Sequence, residues 1–380
     1  MAKPISFSYI PTGLTYGTSA PKQCDEFTFL NSDAINKKGH PSHSVIIQPS
    51  EWDLPWPSSF PAARQCKYWK EIQLSCERFM QEVRALSIQR GKKVPEGYCR
   101  MAGEQPLTPK ESLIVRTTVD AVIYMIPNAP CERVEFISKL WLLLWTHDDV
   151  VEYYPEEAGS TVVDDITHSL LRVSRGLEDL PGNEICAKLK LTSKLLDLPG
   201  ALTQTMLEKF ADFIFFTRTH QRNEFKDLRD YLDYRATDIA IDHILAAVRF
   251  GNDLDLRQEQ IDPLRHISGL ISDHNILVND LFSFDKEKRA AVTQGAHILN
   301  IVEYLKQTLS VSSALAKDIT LRLVFDVESQ LRDELRQISQ MGTLSEAQIR
   351  YAHAMVESAS GNLLFSVTSV RYGKGASGPG

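Results

Sequence analysis

Residues 140–157 read LWLLLWTHDDVVEYYPEE, and the way this stretch passes from apolar to acidic decides the fold class. A strongly apolar helical run ends directly in Asp148, Asp149 and Glu152. On a helix Asp148 and Glu152 stand at i and i+4, and Asp149 and Glu152 at i and i+3, so the carboxylates gather at one end of one face. Like charges there repel, and acidic groups at a helix C-terminus also oppose the helix dipole. A solvated helix end leading into the Tyr153-Tyr154-Pro155 turn is the plain reading. The other reading is a site for hard divalent cations, which take carboxylate, water and phosphate oxygens together. One to two turns back lie Trp141, Leu144 and Trp145, positioned either as ordinary core or as the wall of a pocket beneath such a site.

Outward from this segment, apolar positions recur every three or four residues with short Pro, Gly or polar breaks, which predicts packed helices throughout. The predicted spans are 64–89, 108–126, 131–153, 160–177, 200–223, 225–250, 258–287, 293–308, 311–339 and 345–372. Thr108-Pro109 with Glu111, and Ser345 with Glu346, mark helix starts. No stretch reads as a strand ladder. Residues 1–60, rich in Pro, Ser and Gly, read as an extended arm held by Trp52 and Trp56 over one helical domain, 61–372; residues 373–380 read as a flexible tail. The expected fold class is all-α, one bundle around a central apolar pocket.

A second polar stripe lies in residues 272–289, SDHNILVNDLFSFDKEKR. Asn279, Ser283 and Glu287 fall at i, i+4 and i+8, which sets an amide oxygen, a hydroxyl and a carboxylate on one face, all suited to Mg²⁺. Lys286 adds a positive charge for phosphate oxygens. Two such helix ends meeting across the mouth of a bundle would make a polymetal diphosphate site above an apolar well.

The formal charge of −7 and the absence of a dense Lys/Arg run exclude a protein that wraps nucleic acid. The six cysteines are widely spaced, without CxxC pairs, so reduced thiols in a cytoplasmic setting are expected. The N-terminus has no basic region followed by an apolar one, and the most apolar stretch, from Phe136 to Trp145, is too short to span a bilayer. His147 is expected to point away from the acidic motif. The pair Asp164-Asp165 lacks a third carboxylate and reads as a solvated face. No GxSxG, P-loop or dinucleotide fingerprint is present.

These residues resemble the class I terpene synthases, most of all the fungal sesquiterpene cyclases, over roughly residues 62–372. The family's aspartate-rich motif matches Asp148, Asp149 and Glu152, with Glu where Asp is commoner. Its N-D-x-x-S-x-x-(K/R)-E motif matches Asn279, Asp280, Ser283, Lys286 and Glu287 without departure. The resemblance implies that Arg235, 44 residues before Asn279, senses the diphosphate. Asp238 would link it to an effector, the Ile239 carbonyl, at a helix break. It further implies that Arg371-Tyr372 binds diphosphate, and that Mg²⁺ ions, three per site, are held by Asp148 and by Asn279, Ser283 and Glu287.

The resemblance implies a lyase of isoprenoid biosynthesis that ionises a prenyl diphosphate, with farnesyl diphosphate the expected substrate and geranylgeranyl diphosphate the alternative. Aromatic faces would steady the cation, Trp145 first, with Phe215, Phe216 and Phe365 on neighbouring helices. A chain-elongating prenyl transferase normally carries a second aspartate-rich motif where this chain has Asn279-Ser283-Glu287. A non-catalytic helical binding protein leaves the order of the four motifs unexplained. Monomer and homodimer are both compatible with the sequence.

Overall fold

The structure, a computed structural model, describes residues 2–11, 25–32, 43–92, 94, 96–101, 105–153, 161–177, 200–219, 222–294 and 298–373. The repeating apolar positions fold as α1 (Trp69–Gln89), α2 (Pro109–Met125), α3 (Cys131–Tyr153), α4 (Val162–Ser174), α5 (Gly200–Thr219), α6 (Leu228–Asp238), α7 (Ile241–Gly251), α8 (Arg265–Gln294), α9 (Ile301–Leu309), α10 (Ser313–Met341) and α11 (Glu346–Thr368). The bundle is mainly helical, as the spacing predicts. None of the described helices is long and apolar enough to cross a membrane.

Helix starts follow the capping chemistry. Thr108 and Glu111 close a capping box at α2, with Pro109 in the first turn, and Ser345 closes one with Gln348 at α11. Glu111 also takes an ion pair from Arg84 of α1, 3.0 Å away and fully buried, which locks α1 to α2.

α11 is the axis of the packing. From Ala354 to Thr368 every residue is buried, and a helix buried all round must lie inside other helices. It packs on α2 and α8. At Gly361 a Cβ would sit 2.0 Å from the Tyr124 carbonyl oxygen, so only glycine permits this approach of α11 to α2. α3 is similarly buried along Phe136, Ile137, Leu140, Leu142 and Leu143. Each such side chain contributes about 1.5–3 kcal/mol relative to exposure.

Three expectations are corrected. A strand ladder does exist: β1 (Ser44–Ile47) pairs antiparallel with β2 (Ala63–Cys66), Ser44 opposite Cys66, so α1 begins at Trp69 and not at 64. The N-terminal region also does more than cover the domain, because Phe27, Leu30, Ile47 and Phe60 are fully buried in the common core. Trp52 and Trp56 pack on that core only in part. Ser58 and Ser59 donate to the buried Glu328 of α10, each at 2.6 Å. Finally, the span 225–250 is two helices, and the span from 258 opens as a short helical turn and a 3-10 turn at Pro263 before α8. Cys66, Cys76, Cys99 and Cys131 are thiols outside any disulfide; Cys24, Cys186 and the tail residues 374–380 lie outside the described residues.

Candidate active site

The acidic end of α3 puts two neighbouring carboxylates in different surroundings, because consecutive helix positions face different ways. The Asp148 side chain is 43% exposed and that of Asp149 is 2% exposed. Asp149 accepts from the Tyr98 hydroxyl at 3.1 Å and pairs with the Lys110 ammonium at 2.9 Å. Arg371 reaches both acids, at 3.3 Å from Asp148 and 3.6 Å from Asp149, with its guanidinium 4.9 Å above the Trp145 ring. Burial first, and then the Asp149 charge, raises the Tyr98 pKa well above the ordinary value, so this phenol remains a hydrogen-bond donor. The Glu152 side chain lies outside the described residues.

On α8 the predicted stripe is assembled. The Ser283 hydroxyl donates to Glu287 at 2.6 Å. Asn300, the N-cap of α9, donates to Glu287 at 3.2 Å and to the Ser283 oxygen at 3.3 Å. The Asn279 amide nitrogen donates to the Tyr372 hydroxyl at 3.0 Å, which leaves its carbonyl oxygen for another partner. Desolvation raises the Glu287 pKa against the pull of Arg235. Lys286, half-buried, adds positive charge beside Glu287.

Asp280 faces the other way from these donors. It is fully buried and accepts from Arg235 at 2.8 and 3.0 Å, from the Tyr231 hydroxyl at 2.6 Å and from the Ile301 amide at 2.9 Å. Arg235 also pairs with Asp238. Burial works against the arginine's charge, but Asp280 and then Asp238 outweigh it and hold its pKa well above the ordinary value. The chain breaks directly after Asp238: Ile239 caps α6, and Ala240 takes a left-handed conformation, φ 61°, before α7 starts. The break lies where the resemblance implies it, at Ile239.

The aromatic candidates separate into two groups. Trp145, Phe365 and Tyr372 come together, with Trp145 6.4 Å and Tyr372 5.8 Å from the Phe365 ring, and the Trp145 indole N–H has no hydrogen-bond partner among the described residues. Leu144, next to Trp145 in sequence, is half-buried against the common core. Phe215 and Phe216 are directed elsewhere: Phe215 lies 5.2 Å from His168 of α4 and 4.8 Å from Arg218, and Phe216 packs on Tyr234 of α6. Trp141 is committed too, its indole N–H donating to His243 at 3.2 Å between α3 and α7. His147 points away from the acids to Thr217, at 2.9 Å, and burial pushes its pKa down to about 3, so the ring is neutral. Asp164 is not solvated: it caps α4 through Thr161 and pairs with Arg218, whereas Asp165 pairs with Arg90 and Lys92.

Among the described residues no three His, Cys, Asp or Glu side chains converge as a metal cage. The oxygen donors come instead as Asp148 and Asp149 on α3, and as an amide, a hydroxyl and a carboxylate on α8. This set suits a hard divalent cation that completes its shell with water and a phosphate ligand. Among the described residues the buried Asp149 Oδ1 accepts no hydrogen bond, the Arg371 guanidinium standing 3.6 Å from it, which fits a site built for a further positive group. Tyr98, Lys110 and Asn300 are additions to the predicted set. Lys110 had a readable signal, since a lysine in the first turn of α2 opposes the helix dipole. Asn300 before an apolar run reads only as a cap, and Tyr98 carries no pattern.

The profile of terpene synthase family 2, C-terminal metal binding, matches residues 139–330, half of the chain and the span of α3 to α10 that carries both donor groups. The chain is 27% identical to terpene cyclase 6 of Gibberella fujikuroi, over 87% of this chain and 85% of that one. It is 28% identical to aristolochene synthase of Aspergillus terreus, over 65% and 77%. The crystal structure of aristolochene synthase from Penicillium roqueforti superposes with a TM-score of 0.62 at 21% identity, covering 80% of this chain and 96% of that one, and so shares the fold. With both donor groups inside the matched span, the chain belongs to terpene synthase family 2 and is a class I terpene synthase, a metal-dependent lyase and cyclase of prenyl diphosphates.

Proposed function

We propose that the enzyme is a sesquiterpene cyclase that ionises farnesyl diphosphate and closes the resulting carbocation to a C15 hydrocarbon or alcohol. Three Mg²⁺ ions per site would be held, two by Asp148 with Asp149 and Glu152 as the other acids of its motif, and one by Asn279, Ser283 and Glu287. Bound there, they supply Lewis-acid stabilisation of the charge that develops on the departing diphosphate. The observation that carries the reading is the turn after α11, where Arg371 reaches the α3 acids and Tyr372 reaches Asn279 of α8.

The protein's own donors act at the same oxygens. Arg371, Lys286 and Arg235 offer positive charge and Tyr372 a hydroxyl, so the allylic C–O bond breaks with its electron pair going to a diphosphate already surrounded by donors. Arg235 is held by Asp280 and Asp238 next to the break at Ile239, which supports its reading as a sensor whose engagement shifts the effector carbonyl. Below, Trp145 and Phe365 offer ring faces to the cation, worth roughly 0.5–2 kcal/mol each. The reaction ends by proton loss or water capture. The relatives named for aristolochene support a C15 substrate.

The test is incubation of the purified protein with farnesyl diphosphate, with Mg²⁺ or with EDTA, followed by gas chromatography and mass spectrometry. A cyclic C15 product that needs Mg²⁺ is expected, and its loss by more than about a hundredfold in Asp148→Ala or Asn279→Ala. Product only from geranylgeranyl diphosphate would move the substrate to C20. Chain elongation in the presence of isopentenyl diphosphate would replace cyclisation, and full activity of either variant would remove the donor assignment.

A further inference from the structure

Residues 2–11 take no part in the donor groups, yet they are tied to both sides of the site. Their lower end is anchored on the bundle: the Lys3 amide donates to Gln65 at 2.6 Å, the Lys3 ammonium pairs with Asp120 of α2, and Ile5 is buried. Their upper end lies on the last turn of α11, where the amides of Ser8 and Tyr9 both point to the Val367 carbonyl, at 3.1 and 3.5 Å. That turn leads straight into Arg371 and Tyr372. Ser8 is packed so closely on Gly373 that a Cβ there would lie 2.5 Å from its hydroxyl.

The contact then crosses to α8. The Tyr9 hydroxyl donates to Asp285, which sits between Ser283 and Glu287 in sequence. Lys317 of α10 holds the same carboxylate at 2.7 and 2.8 Å and donates to the Pro11 carbonyl at 3.2 Å. A short extended segment with one end pinned to α2 and β2 and the other to α8 and α10 lies against the turn that carries the Arg-Tyr pair. We propose that residues 2–11 are a strap that seats the Arg371-Tyr372 turn against α8, with Tyr9, Asp285 and Lys317 as positioning residues for diphosphate ionisation. The proposal rests on the reading of Arg371 and Tyr372 as diphosphate donors.

Loss of the lock leaves the substrate bound by α3 and α8 but the turn less well seated, so ionisation slows and water reaches the cation. In the full chain with farnesyl diphosphate and Mg²⁺, Tyr9→Phe and Lys317→Met should each lower kcat roughly tenfold with KM changed less than about threefold. The share of acyclic alcohol from water capture should rise at least about threefold, while Lys317→Arg stays within about twofold of the wild type. Unchanged kcat and product share in both variants would overturn the strap. So would a loss of activity that only tracks a fall in Tm, with the product share constant. A wild type silent toward both farnesyl and geranylgeranyl diphosphate would sink the proposed function instead. The strap is then judged by amide exchange over residues 369–373, which Tyr9→Phe should speed by roughly tenfold and which an idle strap would leave unaltered.

Discussion

Asp280 and Asn279 are neighbours in one motif and do opposite work. Asn279 turns to Tyr372 of the segment after α11, and Asp280 turns inward to hold Arg235, Tyr231 and the first amide of α9. The motif was readable, but the division of labour was not, because it depends on which way each side chain leaves α8. Asp280→Asn removes the charge that keeps a buried guanidinium in place. Taking one partner from a buried pair typically costs about 3–5 kcal/mol, and the amide's remaining hydrogen bonds should bring this to about 2–4 kcal/mol. Turnover should fall more than about a hundredfold, since Arg235 loses its orientation. Chemical denaturation beside steady-state kinetics checks both, and a variant of wild-type stability would show that Asp238 alone suffices. Trp145 and Phe365 illustrate the same limit from the other side. Chemistry alone picks out these two as readily as Phe215 and Phe216, and only packing separates the pair beside Tyr372 from the pair against His168 and Tyr234.

At the scale of elements, helix identity was legible and helix contact was not. The three- and four-residue spacing marks α11 as a helix, but its burial on all sides is a property of what surrounds it. Gly361 makes this quantitative. Gly361→Ala would drive a methyl group into the Tyr124 carbonyl, where neither backbone can yield cheaply, and should destabilise by about 2 kcal/mol or more. Gly269 of α8 is the contrast, because a Cβ there meets nothing within 4 Å. Gly269→Ala should stabilise by about 0.5–1 kcal/mol through helix propensity alone. Thermal denaturation of the two variants separates the effects, and equal shifts would refute the close approach of α2 and α11. The division of the span 225–250 into α6 and α7 belongs here as well. No Gly or Pro marks it, and Ala240 carries the left-handed conformation that lets the chain turn after Arg235 and Asp238.

For the whole molecule the buried acid Glu357 gives a pH signature. It lies on α11, accepts from Asn128 at 2.8 Å, and burial pushes its pKa up to about 7 against the pull of Arg64 and that hydrogen bond. The folded protein therefore keeps a proton that the unfolded chain releases near pH 4.5. Its contribution to stability is full below that pH and is lost as pH rises through about 7. Glu357→Gln, neutral throughout, should gain about 1–3 kcal/mol over the wild type at pH 8 and little at pH 4.5. Parallel stability curves for the two proteins across that range would rule the buried acid out. The sequence by itself determined the helical class and marked the two groups of oxygen donors, because helical period and ligand chemistry are local properties written at spacings of three to four residues, whereas the Arg-Tyr pair and the break after Asp238 followed only from the family resemblance. The tertiary structure alone decided that the N-terminal region enters the core and pairs as β1 with β2, that Tyr98 and Lys110 support Asp149, and which aromatics meet at the site. Those contacts join residues far apart in the chain, and their geometry follows from how whole helices pack.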